Sequence, residues 1–502
     1  MTPLRTLRAT LLAAPLFGTA LGTALVAIPA YAQTNQAPTD QSASLLDALS
    51  LISGRLLVPP MAEPVVSHDG DKFHVHIPLP KLSSPPNAAV EVTAAPIGSG
   101  VWDITALRLP PEGIFTTPAT AGKPPTSLRY TIGQQTVHGR IDPTLAVPSP
   151  YAMAFSDLAF HVDDAETPAD LSVGQLTFDG TITGDGPGRM TTHSHARADD
   201  WHVTVTTKSG APFIATLHSF DAVSGIDGLD RARADHLREL LRSFQEAQKA
   251  EPPVPGQRHP MAPASRERLL AILDVTNGLL SGMNVEETFH GLHFQAPNNN
   301  NGDIGETKFA MVSHASDDNI AAHLDIAVKD MAFAAVPPQF VQYVPRRVDI
   351  DTAISGIPAK ALRHVLRESL AEGADPDALQ SEAIALLNEP GAHAGIDTLL
   401  VESGPLLIRG SARVKALPDG TAGVEAHLTA HGLDKMLALI QADPKAQQIM
   451  PMLFMAKGLG KADGDNLVWD IAFADGVVTV NGVPMGQHPP GGKPGVRPPM
   501  NR

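Results

Sequence analysis

The stretch from Leu406 to Ile440 constrains the fold most, because apolar and polar residues alternate strictly along its first part. From 406 to 416 one set of alternate positions is apolar and the other mostly basic, and the alternation returns from 424 to 430. A period of two predicts two half-buried strands, and Pro418-Asp419-Gly420 between them supplies turn residues. Gly432 then breaks the second strand, and apolar residues at helical spacing predict a short helix. This stretch is therefore an amphipathic hairpin with a helix behind it, and it carries no catalytic motif.

Similar alternation predicts further strands at 73–79, 89–97, 101–109, 130–141, 151–162, 176–182, 201–207, 285–294, 306–313, 322–336 and 467–480. Helical spacing predicts helices at 45–52, 231–249, 265–280 and 360–387, the last interrupted near Gly373 and Pro376. Asp475-Gly476 and Asn481-Gly482 predict hairpin turns. The fold class that follows is α+β: a mainly antiparallel, extended amphipathic β-sheet with a few packing helices.

An internal match raises the hypothesis of two similar halves. The segment 154–160 resembles 327–333, and in both the apolar side of the strand changes at an aspartate, Asp157 or Asp330. A one-residue phase shift inside a strand predicts a β-bulge at each aspartate. Duplication and chance similarity both explain so short a match.

Composition shifts and proline-rich stretches predict the domain organisation. We expect a signal peptide at 1–32, a linker at 33–44, an N-terminal strand-rich half at 45–250, a Pro-rich linker at 251–263, a C-terminal strand-rich half at 264–486 and a disordered Pro/Gly tail at 487–502.

The amino terminus predicts export. Arg5 and Arg8 precede an apolar run, 11–28, which is followed by Ala30-Tyr31-Ala32. A positive segment, an apolar core and a small-x-small cleavage site are typical of a secretory signal peptide, so a periplasmic location is expected. The alternative is an uncleaved inner-membrane anchor, because the run approaches the length that spans a bilayer.

Charge and cysteine content exclude several classes of partner and chemistry. The formal net charge of -16 argues against nucleic acid or an anionic membrane surface as the main partner. The chain has no cysteine, which excludes disulfides and thiol chemistry.

Two histidine groups are the best candidates for metal or catalytic chemistry. His74 and His76 would lie on one face of a strand, and His193, His195 and His202 lie near Asp199 and Asp200 in sequence. Two imidazoles on one face can hold a metal, but the 20 histidines are scattered and no zinc-binding helix motif occurs. We therefore predict no metal, no cofactor and no catalytic residues. A hydrolase would need groups such as His74, His193 and Asp199 to converge on one substrate.

Two acidic turns resemble calcium loops. Asp69-Gly70-Asp71 and Asp463-Gly464-Asp465-Asn466 lack the glutamate at the twelfth position that an EF-hand requires. Both are predicted to be hairpin turns.

The C-terminal residues carry a family resemblance. The segments 408–412, 417–424, 432–434, 463–470 and 476–484 place their glycines and turns in a pattern similar to an uncharacterised alphaproteobacterial envelope family, a domain of unknown function distantly similar to AsmA-like proteins. The likeness covers mainly the last hundred or so residues. It implies an exported or membrane-anchored protein with extended amphipathic sheet, and no catalytic residues. A cleavable signal and a Pro-rich tail depart from many members and leave anchoring open.

These observations predict a noncatalytic exported envelope protein that binds or handles lipid on an apolar sheet face. Four small residues would leave room for a ligand there, or would suit close helix packing: Ala412, Ala416, Ala426 and Ala430. The alternatives are an envelope scaffold that binds a protein partner without a ligand, and a periplasmic hydrolase. No individual ligand-binding residue is assigned by the sequence.

Overall fold

The computed structural model describes residues 40–53, 64–79, 82–85, 87–117, 125–142, 147–164, 167–184, 188–206, 210–250, 263–297, 300–316, 318–371, 375–442, 450–474 and 476–487. The chain divides into two compact units. Unit 1 runs to Asp235 and adds Leu279–Ala310 and Met331–Pro337, and unit 2 is made of His236–Gly278, Met311–Asp330 and the residues from Pro338. The predicted signal peptide, almost all of the Pro-rich linker and almost all of the tail lie outside the described residues.

The described residues of unit 1 form one complete helix and a series of antiparallel strands. They are α1 (Asp40–Ser53), β1 (Val65–Asp69), β2 (Lys72–Pro78), β3 (Leu82–Ser84), β4 (Ala89–Gly98), β5 (Val101–Arg108), β6 (Glu112–Thr117), β7 (Thr126–Thr131), β8 (Gln134–Asp142), β9 (Val147–Asp163), β10 (Ala169–Gly184), β11 (Arg189–Thr206), β12 (Pro212–Asp230) and β13 (Gly282–Gln295). Three elements have residues in both units: α2 (Arg231–Ala250), β14 (Gly302–Ala315) and β15 (Asn319–Phe333).

The remaining elements belong to unit 2. They are α3 (Pro263–Thr276), β16 (Arg347–Pro358), α4 (Ala359–Ser369), α5 (Pro376–Ala385), β17 (His393–Ser403), β18 (Leu406–Ala416), β19 (Ala422–His431), α6 (Leu433–Ala442), α7 (Met450–Leu459), β20 (Lys461–Asp463), β21 (Asn466–Ala474), β22 (Val477–Val480) and β23 (Val483–Gln487), with short 3-10 helices at Pro338–Tyr343 and Leu386–Asn388. The structure confirms a mostly antiparallel β protein with a few helices.

The predicted hairpin forms as β18 and β19. Asp419 closes its turn, because its side chain accepts hydrogen bonds from the Thr421 backbone N–H (2.9 Å) and hydroxyl (2.7 Å). These bonds from Thr421 lower the pKa of the Asp419 carboxyl. Gly432 ends β19 with a φ of 81° and lies so close to the Pro405 carbonyl that a Cβ would collide with it. The helix that follows, α6, buries Leu433, Leu437 and Ile440 as predicted.

Several sequence predictions were wrong in detail. The segment 130–141 is two strands, β7 and β8, rather than one, and α3 ends at Thr276 rather than at Leu280. Eight strands lie outside every predicted range: the long β12, β16 and β17 and the short β1, β3, β6, β20 and β23. Strand β12 escaped detection because its apolar positions do not keep one period.

A line of residues across β9–β13 explains why the apolar positions of β12 do not keep a period of two. The paired registers on either side of it bring Asp157, Gly174, Asp200, His218 and Gly291 opposite one another on neighbouring strands. Asp157, Asp200 and Gly291 have φ values of 51°, 54° and 65°, which reverse the side of the strand that later side chains face. Leu217 and Phe220, three positions apart, are consequently both buried.

The side change predicted at Asp157 and Asp330 therefore exists, since both residues have a left-handed φ, 51° and 55°. The predicted β-bulge at Asp157 was wrong, however. The register between β9 and β10 stays in step across it, because Gly174 on β10 reverses at the same point and no extra residue is inserted.

The apolar side of β9–β13, here called the closed face, is largely buried. Its cross-strand rows include Leu158–Val173–Trp201–Leu217–Leu292 and Met153–Phe178–Ala196–Ala222–Glu287. Phe155, Phe178, Leu217 and Phe220 are each less than 8% exposed. A second buried cluster in unit 1 centres on Trp102, which meets Phe73 edge to face at a centroid distance of 5.1 Å.

Candidate apolar binding surface

In unit 2 the strand register aligns apolar side chains across seven strands. One row runs from β15 to β22 through Leu324–Thr352–Ile396–Ala412–Ala426–Ile471–Val480. Directly opposed residues of antiparallel strands share one side of the sheet. We call this side the open face, formed in addition by Ala322, Ile326, Val328, Val348, Ile350, Ile354, Ala394, Leu399, Val401, Val414, Val424, Leu428, Phe473 and Val478.

None of these residues is buried. All are half-buried or exposed, and the exposed fractions of Ile354, Phe473 and Val424 reach 49%, 40% and 37%. One end of the same side is covered, where Leu406 and Ala430 pack with α6 and α7 in what we call the end cluster. An apolar sheet side that stays accessible over seven strands is available to a ligand.

The middle of the open face carries only small side chains. Gly410, Ala412 and Ala426 bring no side chain larger than a methyl group to β18 and β19, and Ile396 and Ile471 flank the two alanines in their row. Of the four alanines singled out in the sequence, Ala412, Ala416 and Ala426 are half-buried, whereas Ala430 is only 4% exposed. Ala430 therefore packs in the end cluster and leaves no room for a ligand.

The opposite side of the same strands is polar. His427 bonds to Asp470 (2.8 Å), Lys415 pairs with Glu425, and an Arg413 Nη2 donates to the Ala392 carbonyl oxygen (3.0 Å). Of these residues, His427, Asp470, Glu425 and Arg413 line a surface groove of about 680 Å³.

Histidine–carboxylate pairs across neighbouring strands recur on the polar sides of both units. His76 contacts Glu91 (2.6 Å), His161 contacts Asp170 (2.7 Å) and His293 contacts Asp303 (2.6 Å). His74 lies 3.4 Å from the Thr93 hydroxyl instead. His74 and His76, aligned in the sequence, therefore each bind a residue of β4.

The second histidine group is also divided among neighbours. His195 lies between Asp221 (3.0 Å) and Asp179 (3.3 Å), and the hydrogen bond to Asp221 is the main cause that raises the pKa of His195. Arg197 donates two hydrogen bonds to Asp199, at 3.0 and 2.8 Å. His202 binds Thr204. Among the residues that the structure describes, no group of three or more His, Asp or Glu side chains could hold a metal ion.

The residues that the sequence analysis named for a hydrolase do not converge on one site. His193 and Asp199 lie on β11 six positions apart, which separates them by about 20 Å at ~3.3 Å per residue. One substrate cannot contact both.

The two acidic turns are hairpin turns, as predicted. Gly70, with a φ of 58°, lies in the turn that joins β1 to β2, and Gly464, with a φ of 60°, lies in the turn between β20 and β21.

Glu287 is a chemically unusual residue that sequence reasoning missed. It is 4% exposed on the closed face, directly opposite Ala222, and within the described residues its carboxyl has no hydrogen bond or ion pair. Burial raises the pKa of Glu287. Its position two residues before Phe289, on the apolar set of β13, is the sequence signal that could have identified it.

None of the helices in the described ranges has the length and apolar character needed to cross a membrane.

The strands that carry the open face coincide with a known sequence family. Residues 303–489 match the family described as "Uncharacterized protein conserved in bacteria (DUF2125)". The matched segment begins at β14 and so extends well before the C-terminal segments on which the resemblance rested. Neither the comparison with curated proteins nor that with solved structures gave a match.

Proposed function

We propose that this chain is an exported envelope protein whose open face binds an acyl-chain lipid noncatalytically. The observation that carries the proposal is the seven-strand row of unit 2, apolar except for Thr352, in which no residue is buried. An apolar surface of this extent is costly to leave in water, and an acyl chain is a ligand that covers it without needing polar partners.

The dimensions suit such a ligand. Six interstrand steps of about 4.8 Å make the row roughly 29 Å long. The hydrocarbon core of a bilayer is about 30 Å thick, so each leaflet contributes chains of about half that depth. One extended acyl chain therefore fits along the row, over the small side chains of Ala412 and Ala426. Burying ten methylene groups would contribute roughly 8 kcal/mol before the costs of binding.

We also propose where the protein is located and to which proteins it is distantly related. Arg5, Arg8, the apolar run and Ala30-Tyr31-Ala32 support export by a cleaved signal peptide. An accessible amphipathic sheet supports the distant likeness to AsmA-like proteins. The left-handed φ values at Asp157 and Asp330 support an origin from two similar halves.

The test is native mass spectrometry of the exported protein, purified gently from its own compartment, followed by organic extraction. We expect a near-stoichiometric acyl-chain species. In a matched pair of variants, Ile471→Asp places a carboxylate on the open face, whereas Ala472→Asp places one on the polar side of the same strand, one residue later. Lipid should be lost from the first variant and kept by the second.

Other outcomes separate the rival functions. A ligand-free mass that does not change when phospholipid or fatty acid is offered would refute lipid binding. If a specific protein then copurifies, and Ile471→Asp releases it, the open face is the contact of an envelope scaffold.

A further inference from the structure

The polar side of the same sheet aligns a serine, a histidine and an aspartate on three adjacent strands. Ser411 on β18 lies directly opposite His427 on β19, and His427 lies directly opposite Asp470 on β21. We infer that these three residues form a hydrolytic site for small, water-soluble carboxylic esters, with Ser411 as the nucleophile and His427 as the base. This inference does not depend on lipid binding at the open face.

One ring nitrogen of His427 is held by a carboxylate, as in a general base of a serine hydrolase. Its Nδ1 is 2.8 Å from Asp470 Oδ1, so Asp470 accepts the Nδ1–H bond and leaves the lone pair on Nε2. The side chains of His427 and Asp470 are 55% and 60% exposed, so a dissolved ester has access to them.

The serine is free to react. Ser411 is exposed, and within the described residues its hydroxyl makes no hydrogen bond. Directly opposed residues on antiparallel strands have Cβ atoms about 4.5–5.5 Å apart. A rotation about χ1 therefore brings the Ser411 hydroxyl towards the imidazole, and unbound sites often hold such pairs more loosely than the reacting complex does.

A similar row in unit 1 shows what distinguishes this one. There Thr216 lies opposite His293, which bonds to Asp303 at 2.6 Å. The second ring nitrogen of His293 is occupied, because Gln295 Nε2 lies 3.1 Å from His293 Nε2. His427 has no such contact among the described residues, so its Nε2 can accept a proton.

Arg413 supplies a cation beside the reacting atoms. It lies two positions after Ser411 on the same side of β18 and lines the same groove, which also includes Thr479. One guanidinium nitrogen donates to the Ala392 carbonyl, and a guanidinium has five N–H donors. The remaining donors can stabilise the negative oxygen that develops on an ester carbonyl under attack.

The reaction follows from these positions. Ser411 Oγ bonds to the ester carbonyl carbon while its proton passes to His427 Nε2. The C–O bond to the alcohol then breaks, and the alcohol leaves with that proton. Water attacks the acylated serine, gives its proton to His427, and the acid leaves as the Ser411 hydroxyl is restored.

The experiment measures p-nitrophenyl acetate hydrolysis and labelling by a fluorophosphonate with the full chain. We expect labelling at Ser411 and a burst of about one p-nitrophenol per chain. Ser411→Ala should reduce both labelling and hydrolysis to the uncatalysed level, and His427→Gln should reduce kcat by about 10²–10⁴. The matched variants Thr216→Val and His293→Gln should leave both unchanged.

Asp470 acts through His427 and is a positioning residue. Asp470→Asn should lower kcat, because His427 loses the carboxylate that accepts its Nδ1–H and holds the imidazole in place, whereas Asp470→Glu should restore much of the rate. The inference is overturned if the unaltered chain neither hydrolyses the ester nor takes the label, or if Ser411→Ala retains either property. Circular dichroism of each variant establishes that it is folded, and Ser411→Ala should still carry lipid if the open face binds it.

Discussion

The closed face of unit 1 and the open face of unit 2 are both built from amphipathic strands, but they differ in how far they are buried. Both are apolar sides of antiparallel sheet whose opposite sides carry histidine–carboxylate pairs. The closed face is buried and rich in aromatic residues, including Phe155, Phe178 and Phe220. The open face is half-exposed and mostly aliphatic, with alanines at its centre. The comparison teaches that strand alternation predicts which side of a sheet is apolar but not whether that side is covered.

A consequence is that the two units hold themselves together differently. Unit 1 buries side chains across the face itself, whereas unit 2 buries them mainly in the end cluster beneath α6 and α7. Side-chain truncations should therefore have different effects at equivalent positions in the two units.

The largest contrast is expected for truncations on the two faces. Phe178→Ala should destabilise unit 1 by about 3–5 kcal/mol, because Phe178 is only 3% exposed. Ile350→Ala, on the half-exposed open face, should cost about 1 kcal/mol. Hydrogen exchange resolved by unit is the suitable measurement, since two units need not unfold together. Equal costs would show that the open face is covered in solution.

The second prediction locates the stability of unit 2. Leu437→Ala in the end cluster should cost about 2–4 kcal/mol, because Leu437 is 4% exposed. Leu428→Ala, on the open face, is the matched control and should cost about 1 kcal/mol. If the control proves as costly as Leu437→Ala, the open face is packed and cannot receive a ligand without unfolding.

The third prediction concerns the buried carboxyl of the closed face. Because burial raises the pKa of Glu287 above its unfolded value, its protonated form is favoured in the folded state. The contribution of Glu287 to the stability of unit 1 should therefore be most favourable below about pH 4, the usual pKa of glutamate, and should be lost as the pH rises towards the native pKa. Glu287→Gln should flatten this pH dependence, and Glu287→Leu should stabilise unit 1 at pH 8 by about 1–3 kcal/mol.

Urea unfolding followed from pH 4 to 8 measures this effect. The open face provides the control, because none of the residues that form its rows is ionisable. A Glu287→Gln variant with an unchanged pH profile would show that the carboxyl finds a partner or water in solution.

The smallest effects are expected on the polar sides, where the units are alike. Lys415→Met removes an ion pair with Glu425 in unit 2, and Lys308→Met removes one with Glu286 (3.0 Å) in unit 1. Both pairs are solvent-accessible, so each change should cost less than about 1 kcal/mol and less still at high salt. A large effect in one unit only would mean that the difference between the units extends beyond their apolar faces.

Much of the local structure could be predicted from particular residues. The hairpin of β18 and β19, the turns at Gly70, Gly420 and Gly476, and the side change at Asp157 each depend on neighbours a few positions away. Strand β17 was missed because a register shift between Ile396 and Leu399 breaks its alternation. Strand β16 could have been predicted, because Val348 and Ile350 alternate with Asp349 and Asp351. The C-terminal resemblance was confirmed as a match to a family of unknown function, and the AsmA-like relationship stays a proposal.

The amino-acid sequence by itself determined the amphipathic strands and their turns, because these follow from period-two patterning and from residues that tolerate a positive φ. Tertiary structure alone decided that one apolar face is closed and the other open, and that Ser411, His427 and Asp470 form one row. The physical reason is that exposure and cross-strand register depend on which distant strands pair and what packs over them, and residues 411 and 470 carry no local signal of each other.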